Sequence, residues 1–278
     1  MMPTASTQAI DAHAHYGQYI RTGMNDEFAD FMSGDAAKVV QRASAANIVL
    51  TIVSPLLALL PRGGADPMKG NLEAAKVVAE TEGLLQYVVV DPLHPATYEQ
   101  AAEMLSSPKC VGIKIHPEEH CYPIREHGRA IFEFAAQHRA VVLTHSSEQN
   151  SLAMDFVPFI NDYPEVKLIL AHIGCGWDGD LTHQVRAIEK SKHGNVFADT
   201  SSARSITPKL IEWAVKNIGA TRVLFGTDTP LYHASMQRVR IDHADLTDDE
   251  KRLILRENAI RLFQLDHLIS TLGKTTEA

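Results

Sequence analysis

The chain has 278 residues, 45% hydrophobic and 22% charged, an ordinary globular composition that excludes a disordered or solvating chain. Its 26 Lys and Arg against 34 Asp and Glu leave a net charge of −8 with no basic run, which makes nucleic acid and anionic membranes poor partners. Three cysteines without a C-x-x-C argue against a disulfide framework or zinc ribbon and suit a cytoplasmic protein. Met1 to Gln8 lacks the charged and apolar regions of a signal peptide, and apolar stretches such as Ile48–Leu60 are too short to span a bilayer. The 14 histidines outnumber the 9 Phe and the 7 Tyr, and their placement carries the functional argument.

In chain order, a near-continuous apolar run predicts a strand over Ala9–His15 and a second over Ile48–Ser54. The Pro- and Gly-rich stretch Pro55–Lys69 is long for a strand–helix connection and reads as a lid or substrate loop. Leu72, Ala75, Val78 and Ala79 then recur at helical spacing over Gly70–Gly83. Strands follow at Leu85–Asp91 and Val111–His116, then a helix at Arg125–His138 carrying Ile131, Phe134 and Ala135. Strands at Ala140–His145, Lys167–His172 and Val196–Ser201 precede a helix from Pro208 to Gly219, with Pro just inside its start and Gly at its end. The eighth strand is Arg222–Asp228, and Thr247 followed by Glu250 predicts a capping box for a last helix reaching Leu265.

The later strand ends recur at about 27 to 29 residues, the length of one strand–helix unit. Eight such units predict an α/β fold of the (β/α)8 TIM-barrel type, one domain over 1–278. A doubly wound open sheet would carry a Gly-rich phosphate loop after its first strand, and none is present. A homodimer is the default assembly.

The first strand reads Ile10-Asp11-Ala12-His13-Ala14-His15, and residues two apart share a face, so His13 and His15 point the same way. The fifth, sixth and eighth strands end at His145, His172 and Asp228, at the end of the barrel where active sites are built. Closing the barrel sets strand eight beside strand one, bringing Asp228 toward the histidine pair. Imidazoles with one carboxylate suit zinc or another borderline divalent ion. A lone H-x-H or a lone strand-end histidine is more often a hydrogen-bonded structural residue; the set, spread over four strands, points to a metal.

The order D-A-H-A-H, then T-H at His145, A-H-I-G at His172 and G-T-D at Asp228 resembles the amidohydrolase superfamily. Within it, the pattern is most similar to the amidohydrolase-related branch of metal-dependent hydrolases and decarboxylases, such as aminocarboxymuconate-semialdehyde decarboxylase. The resemblance runs to the closing Glu257–Phe263 helix. It implies that His13, His15, His145 and Asp228 hold one divalent ion, zinc first and manganese or another ion as alternatives. It assigns His172 to the catalytic water and makes Asp228 a second proton carrier. Two-metal members also use a carboxylated lysine; Lys114 lies before its strand end, so pairing with a buried acid or with substrate is the preferred role.

Asp11, one layer below His13, either orients a ligand histidine, pairs with Lys114 or bonds backbone. His116, Trp177 and Arg204 are further substrate-binding candidates, Arg204 as a carboxylate clamp, with Arg21 and Arg62 as weaker versions and Tyr16 and Tyr232 as minor ones. The other histidines, including His120, read as surface residues, with His94 and His233 kept as pocket candidates. Cys121 and Cys175 fall in loops on the same face, where a metal-activated water makes a thiol nucleophile unnecessary. The functional expectation is a metal-dependent hydrolase of a small ester, lactone or amide. The alternatives are a non-oxidative decarboxylase of an unsaturated or aromatic acid on the same scaffold, and a non-catalytic metal-binding barrel.

Overall fold

The computed structural model describes residues 7–60 and 64–268. Eight parallel strands run in chain order around one sheet: β1 (Ala9–Tyr16), β2 (Ile48–Pro55), β3 (Leu84–Val89), β4 (Cys110–Ile115), β5 (Val141–Thr144), β6 (Lys167–Leu170), β7 (Val196–Asp199) and β8 (Val223–Leu224). The segment from Phe225 onward meets β1 edge to edge. Ala12 donates to the Phe225 carbonyl at 2.9 Å, Asp228 to that of His13 at 2.8 Å and His15 to that of Thr229 at 2.7 Å. The sheet thereby closes into a (β/α)8 TIM barrel, which leaves no exposed strand edge there.

The helices are α1 (Asp26–Phe31), α2 (Ala36–Ala45), α3 (Leu56–Leu59), α4 (Pro67–Glu80), α5 (Ala96–Met104), α6 (Ile124–His138), α7 (Val157–Asp162), α8 (His183–Lys190), α9 (Leu210–Ile218), α10 (Ala234–Asp242), α11 (Asp248–Arg252) and α12 (Asn258–Phe263). Strand residues alternate between two cores. Ile10, Ala12, Leu85, Val141, Leu143 and Ile169 fill the barrel interior with Tyr87. Val88, Ile113, Val142, Leu168 and Leu170 face the helices. Burial on both faces is why each strand reads as a continuous apolar run. Tyr87 satisfies its hydroxyl on the Ala12 carbonyl at 2.8 Å. Phe263 of α12 meets its ring edge-on at 5.9 Å, and Ala259, Ile260 and Leu265 join the same interior cluster.

All eight expected strands are present, but β3, β6 and β7 stop two residues, and β8 four residues, earlier than their apolar runs. His172 and Asp228 have φ of 71° and 56°, so the chain turns left-handed where pleated pairing would continue. His145, His172 and Asp228 therefore stand just past the strand ends. The capping box of Thr247 and Glu250 forms as expected. The helix beyond it is not uniform, because Leu253–Glu257 is π-helical between α11 and α12. Pro208 precedes α9 instead of opening it, since Lys209 takes a left-handed conformation at the N-cap (φ 66°); Gly219 does end the helix, at φ 80°.

The Pro55–Lys69 stretch contains α3 and the start of α4. A side chain at Gly70 would stand 2.7 Å from the Ala58 nitrogen, so only glycine lets α4 press against α3 this closely. Arg62 lies outside the described residues. Among the described residues no helix is long and apolar enough to cross a membrane.

Candidate metal centre

β1 carries both histidines of the H-x-H and is irregular between them and Asp11. Asp11 pairs with Thr51 but Ala14 with Val53, so one extra residue is bulged into β1. His15 Nε2 lies 3.0 Å from Asp228 Oδ1, and His13 Nε2 lies 3.6 Å from the same oxygen. The three donor atoms fall within 4.8 Å of one another, and all three residues are buried.

Each ring is oriented from its other nitrogen. His15 Nδ1 bonds the Ser54 carbonyl at 3.0 Å, and His13 Nδ1 donates to Asp199 Oδ2 at 2.9 Å. For His13 that places the hydrogen on Nδ1 and the lone pair on Nε2, the tautomer that binds a metal through Nε2; His15 offers its Nε2 in the same way once it gives up its hydrogen bond to Asp228. Burial, then the Lys114 ammonium, hold His13 neutral by pushing its pKa well below the usual histidine range. Burial pushes the Asp228 carboxyl upward, but the hydrogen bond from His15 outweighs it, so the carboxylate stays ionised. Two imidazoles and an ionised carboxylate converging on one point fit a divalent ion.

His172 and His145 form a second arm. His172 Nδ1 donates to Ser201 Oγ at 2.7 Å, because the Ser201 hydroxyl gives its own hydrogen to Asp199. His172 Nε2 then faces His145 Nδ1 at 3.1 Å, and His145 Nε2 faces Glu148 at 2.7 Å. Both His145 nitrogens are thus engaged, so joining the His13–His15–Asp228 group requires it to release one partner. Burial first, opposed by Asp228, leaves His172 neutral with its pKa well below the ordinary range. Asp199 also draws His13 and His172 into a second close group of donor atoms.

Lys114 is buried and places Nζ 2.9 Å from His13 Nε2, the lone pair that faces Asp228. Its hydrogen-bond partner is a histidine and not an acid. Burial pushes its pKa down to about 8, against the pull of Asp228 and Asp199. A metal and the ammonium would compete for one nitrogen. Lys114→Met is therefore expected to raise metal affinity severalfold with no loss of thermal stability, measured by metal titration and thermal melting. Loss of metal from this variant would instead make Lys114 a carboxylated ligand.

A cavity of about 240 Å³ opens over these groups. His15, Lys114, His116, His145, His172 and Asp228 form its polar wall, and Leu56, Leu59, Leu60, Met32 and Leu231 its apolar wall. His116 stacks on His145 with centroids 4.3 Å apart and planes 9° apart, and burial keeps it neutral. Arg21 reaches the rim, paired with buried Glu119 and lying 5.2 Å from the Tyr19 ring. Tyr232 lines the wall, and Tyr16 borders a different cavity.

Two substrate candidates fall outside this cavity. Trp177 is 57% exposed on the loop after β6, and Arg204 is exposed on the turn after β7. Cys175 and Ser202, from the same two loops, reach the wall, but the Trp177 and Arg204 side chains do not form part of it. His94 is also exposed and paired with Asp91. His120 is buried and bonds the Ala58 carbonyl at 2.9 Å, so it ties the β4 loop to α3 and is not a surface residue. Cys175 lines the cavity, but burial pushes its thiol up to about 11, away from thiolate chemistry. Asp11 pairs with neither Lys114 nor a ligand ring. It accepts the His13 and Thr227 backbone N–H groups at 3.1 Å and the Thr227 hydroxyl, fastening β1 to the β8 end.

Asp199 and Ser201 were not singled out, although residues two apart at the end of β7 share a face as His13 and His15 do. Asp199→Asn is expected to weaken metal binding by roughly 10- to 100-fold, as loss of a carboxylate behind a ligand histidine does. Competition with a chelating indicator measures it.

A barrel with buried His, His and Asp at its C-terminal mouth is the architecture of a metal-dependent enzyme. The amidohydrolase family model matches residues 10–265, and the chain belongs to that family. Among solved structures, 2,6-dihydroxybenzoate decarboxylase complexed with 2,6-dihydroxybenzoate superimposes with a TM-score of 0.71 at 14% identity, covering 94% of this chain and 99% of that one. A 5-carboxyvanillate decarboxylase from Novosphingobium aromaticivorans, complexed with manganese and a nitrobenzoic acid, gives 0.71 at 13%, covering 94% and 97%. A probable 2-pyrone-4,6-dicarboxylic acid hydrolase from Acinetobacter baumannii, with citric acid bound, gives 0.65 at 16%, covering 92% and 99%. No curated protein matches the sequence.

Proposed function

We propose that the protein is a metal-dependent hydrolase acting on an ester, lactone or amide of a small organic molecule. The convergence of His13, His15 and Asp228 on one point is the observation that carries this reading. These three residues would hold a divalent ion, with His145 as the fourth ligand once it releases His172 or Glu148. The ion would supply Lewis acidity, polarising a substrate oxygen and making water nucleophilic near neutral pH. Zinc is the first choice for nitrogen and oxygen donors, and manganese, present in the carboxyvanillate relative, is its competitor.

The chain's own groups then divide the work. His172, neutral and fixed through Nδ1, accepts a proton at Nε2. Asp228, kept ionised, takes or returns a proton at its carboxylate on the opposite side. Lys114 and Arg21 attract a substrate carboxylate, and His116 offers a flat face held parallel to His145. The leucine wall excludes water from the reacting bond.

A second reading, non-oxidative decarboxylation of an unsaturated or aromatic acid, is favoured by two cations, Lys114 and Arg21, on the wall of so small a cavity. Two of the similar solved structures are also named as decarboxylases. Purified protein is expected to carry about one equivalent of zinc or manganese per chain, measured by elemental analysis. The metal-loaded protein should be assayed on lactones, esters and amides for hydrolysis, and on unsaturated and aromatic acids for carbon dioxide release. Hydrolysis without carbon dioxide supports the first reading, and the reverse supports the second. Metal-free, inert but folded protein would refute both.

A further inference from the structure

The largest cavity among those described, about 830 Å³, lies at the other end of the barrel. Val141 and Lys167 open β5 and β6, and Arg222 directly precedes β8, so these lining residues mark the N-terminal face. Four cations, Arg139, Lys167, Arg222 and Arg261, border it with one carboxylate, Glu165. The local charge is thus about +3 in a chain of net charge −8.

That excess is not neutralised by the described residues. Among the described residues none of the four cations forms an ion pair. Arg222 is half-buried and stacks on Phe197, its guanidinium carbon 5.3 Å from the ring centroid. Gly194, which has φ of +67°, lies against the guanidinium, so a side chain there would stand 2.3 Å from an Arg222 nitrogen. Burial alone moves the Arg222 pKa, downward, as expected for a cation without a nearby counter-charge. Arg261 is held by a neutral amide: its guanidinium donates to Asn258 Oδ1, and Asn258 Nδ2 donates to the Ala220 and Val223 carbonyls at 2.7 Å. Val141, Phe197 and Leu262 supply an apolar floor. Positioned, uncompensated guanidiniums over an apolar floor recognise planar carboxylates or phosphates on an apolar body.

We propose that this cavity binds a small organic polyanion, an aromatic or otherwise apolar body carrying at least two carboxylates or phosphates, through Arg222, Arg139 and Arg261. The site is independent of the metal centre. The test is calorimetric titration of the full, metal-loaded protein with phthalate, benzoate and inorganic phosphate. Phthalate is expected to bind saturably at millimolar or lower concentration. Benzoate, with one charge, and phosphate, without an apolar body, should each bind roughly tenfold more weakly or worse. Arg222→Gln and Arg139→Gln should each weaken phthalate binding about tenfold, while Arg21→Gln, at the metal-side mouth, leaves it unchanged. Absence of saturation by ~10 mM, equal binding of benzoate or phosphate, or loss of binding in Arg21→Gln overturns the proposal. So does unaltered binding in either cavity variant. Should thermal melting show that Arg222→Gln is unfolded, the exposed Arg139→Gln decides alone.

Discussion

Asp228→Ala is expected to release the metal and lower turnover by about a thousandfold or more, some 4 kcal/mol of transition-state stabilisation, while the barrel stays folded. The carboxylate is the one anionic donor facing both Nε2 atoms, at 3.0 and 3.6 Å. Two imidazoles alone form a poor site for a divalent ion. The fold survives because strand closure at this point depends on two other hydrogen bonds: the Asp228 N–H to the His13 carbonyl, and the Thr227 N–H to the Asp11 carboxylate. Neither uses the Asp228 side chain. His13→Ala should lose the metal similarly. Elemental analysis, circular dichroism and turnover measure the three quantities, and unchanged turnover in both variants would remove these residues from the site.

His172→Asn is expected to retain the metal but slow turnover by about 10²- to 10⁴-fold, the usual contribution of a positioned acid–base group. His172 sits beside the His13–His15–Asp228 group, its ring 5.0 Å from that of His13, and is linked to it through Ser201 and Asp199. Asn can preserve the hydrogen bond to Ser201 but cannot carry a proton at the position of Nε2. Its effect should appear in kcat and in the pH profile more than in KM. Loss of metal would promote His172 to a ligand, in the alternative grouping with His13 and Asp199.

Much of this was legible in the chain because it rests on local periodicity. Eight apolar runs lie where the strands are, since a parallel strand buried on both faces has no polar alternation to hide it. The pairing of His13 with His15, and the approach of Asp228 to both, followed from a two-residue repeat and from barrel closure. The strand ends were misplaced because an apolar run continues past the last ladder bond. Hydrophobicity does not encode the left-handed turns at His172 and Asp228. The same blind spot put Trp177 and Arg204 on the cavity wall: both follow strand ends in sequence, but the direction of a loop depends on what it packs against.

The sequence by itself determined the barrel, the family pattern and the residues that gather at its C-terminal mouth, because each depends on spacing along one strand or on strand order. Only the tertiary structure decided which atoms meet. Asp199 orients His13 from 186 residues away, Lys114 contests its Nε2 from 101 residues away, and His145 is held between His172 and Glu148. It also gathered four cations from distant parts of the chain around one cavity on the opposite face. Contacts of such separation are set by packing in three dimensions, which no local pattern of residues records.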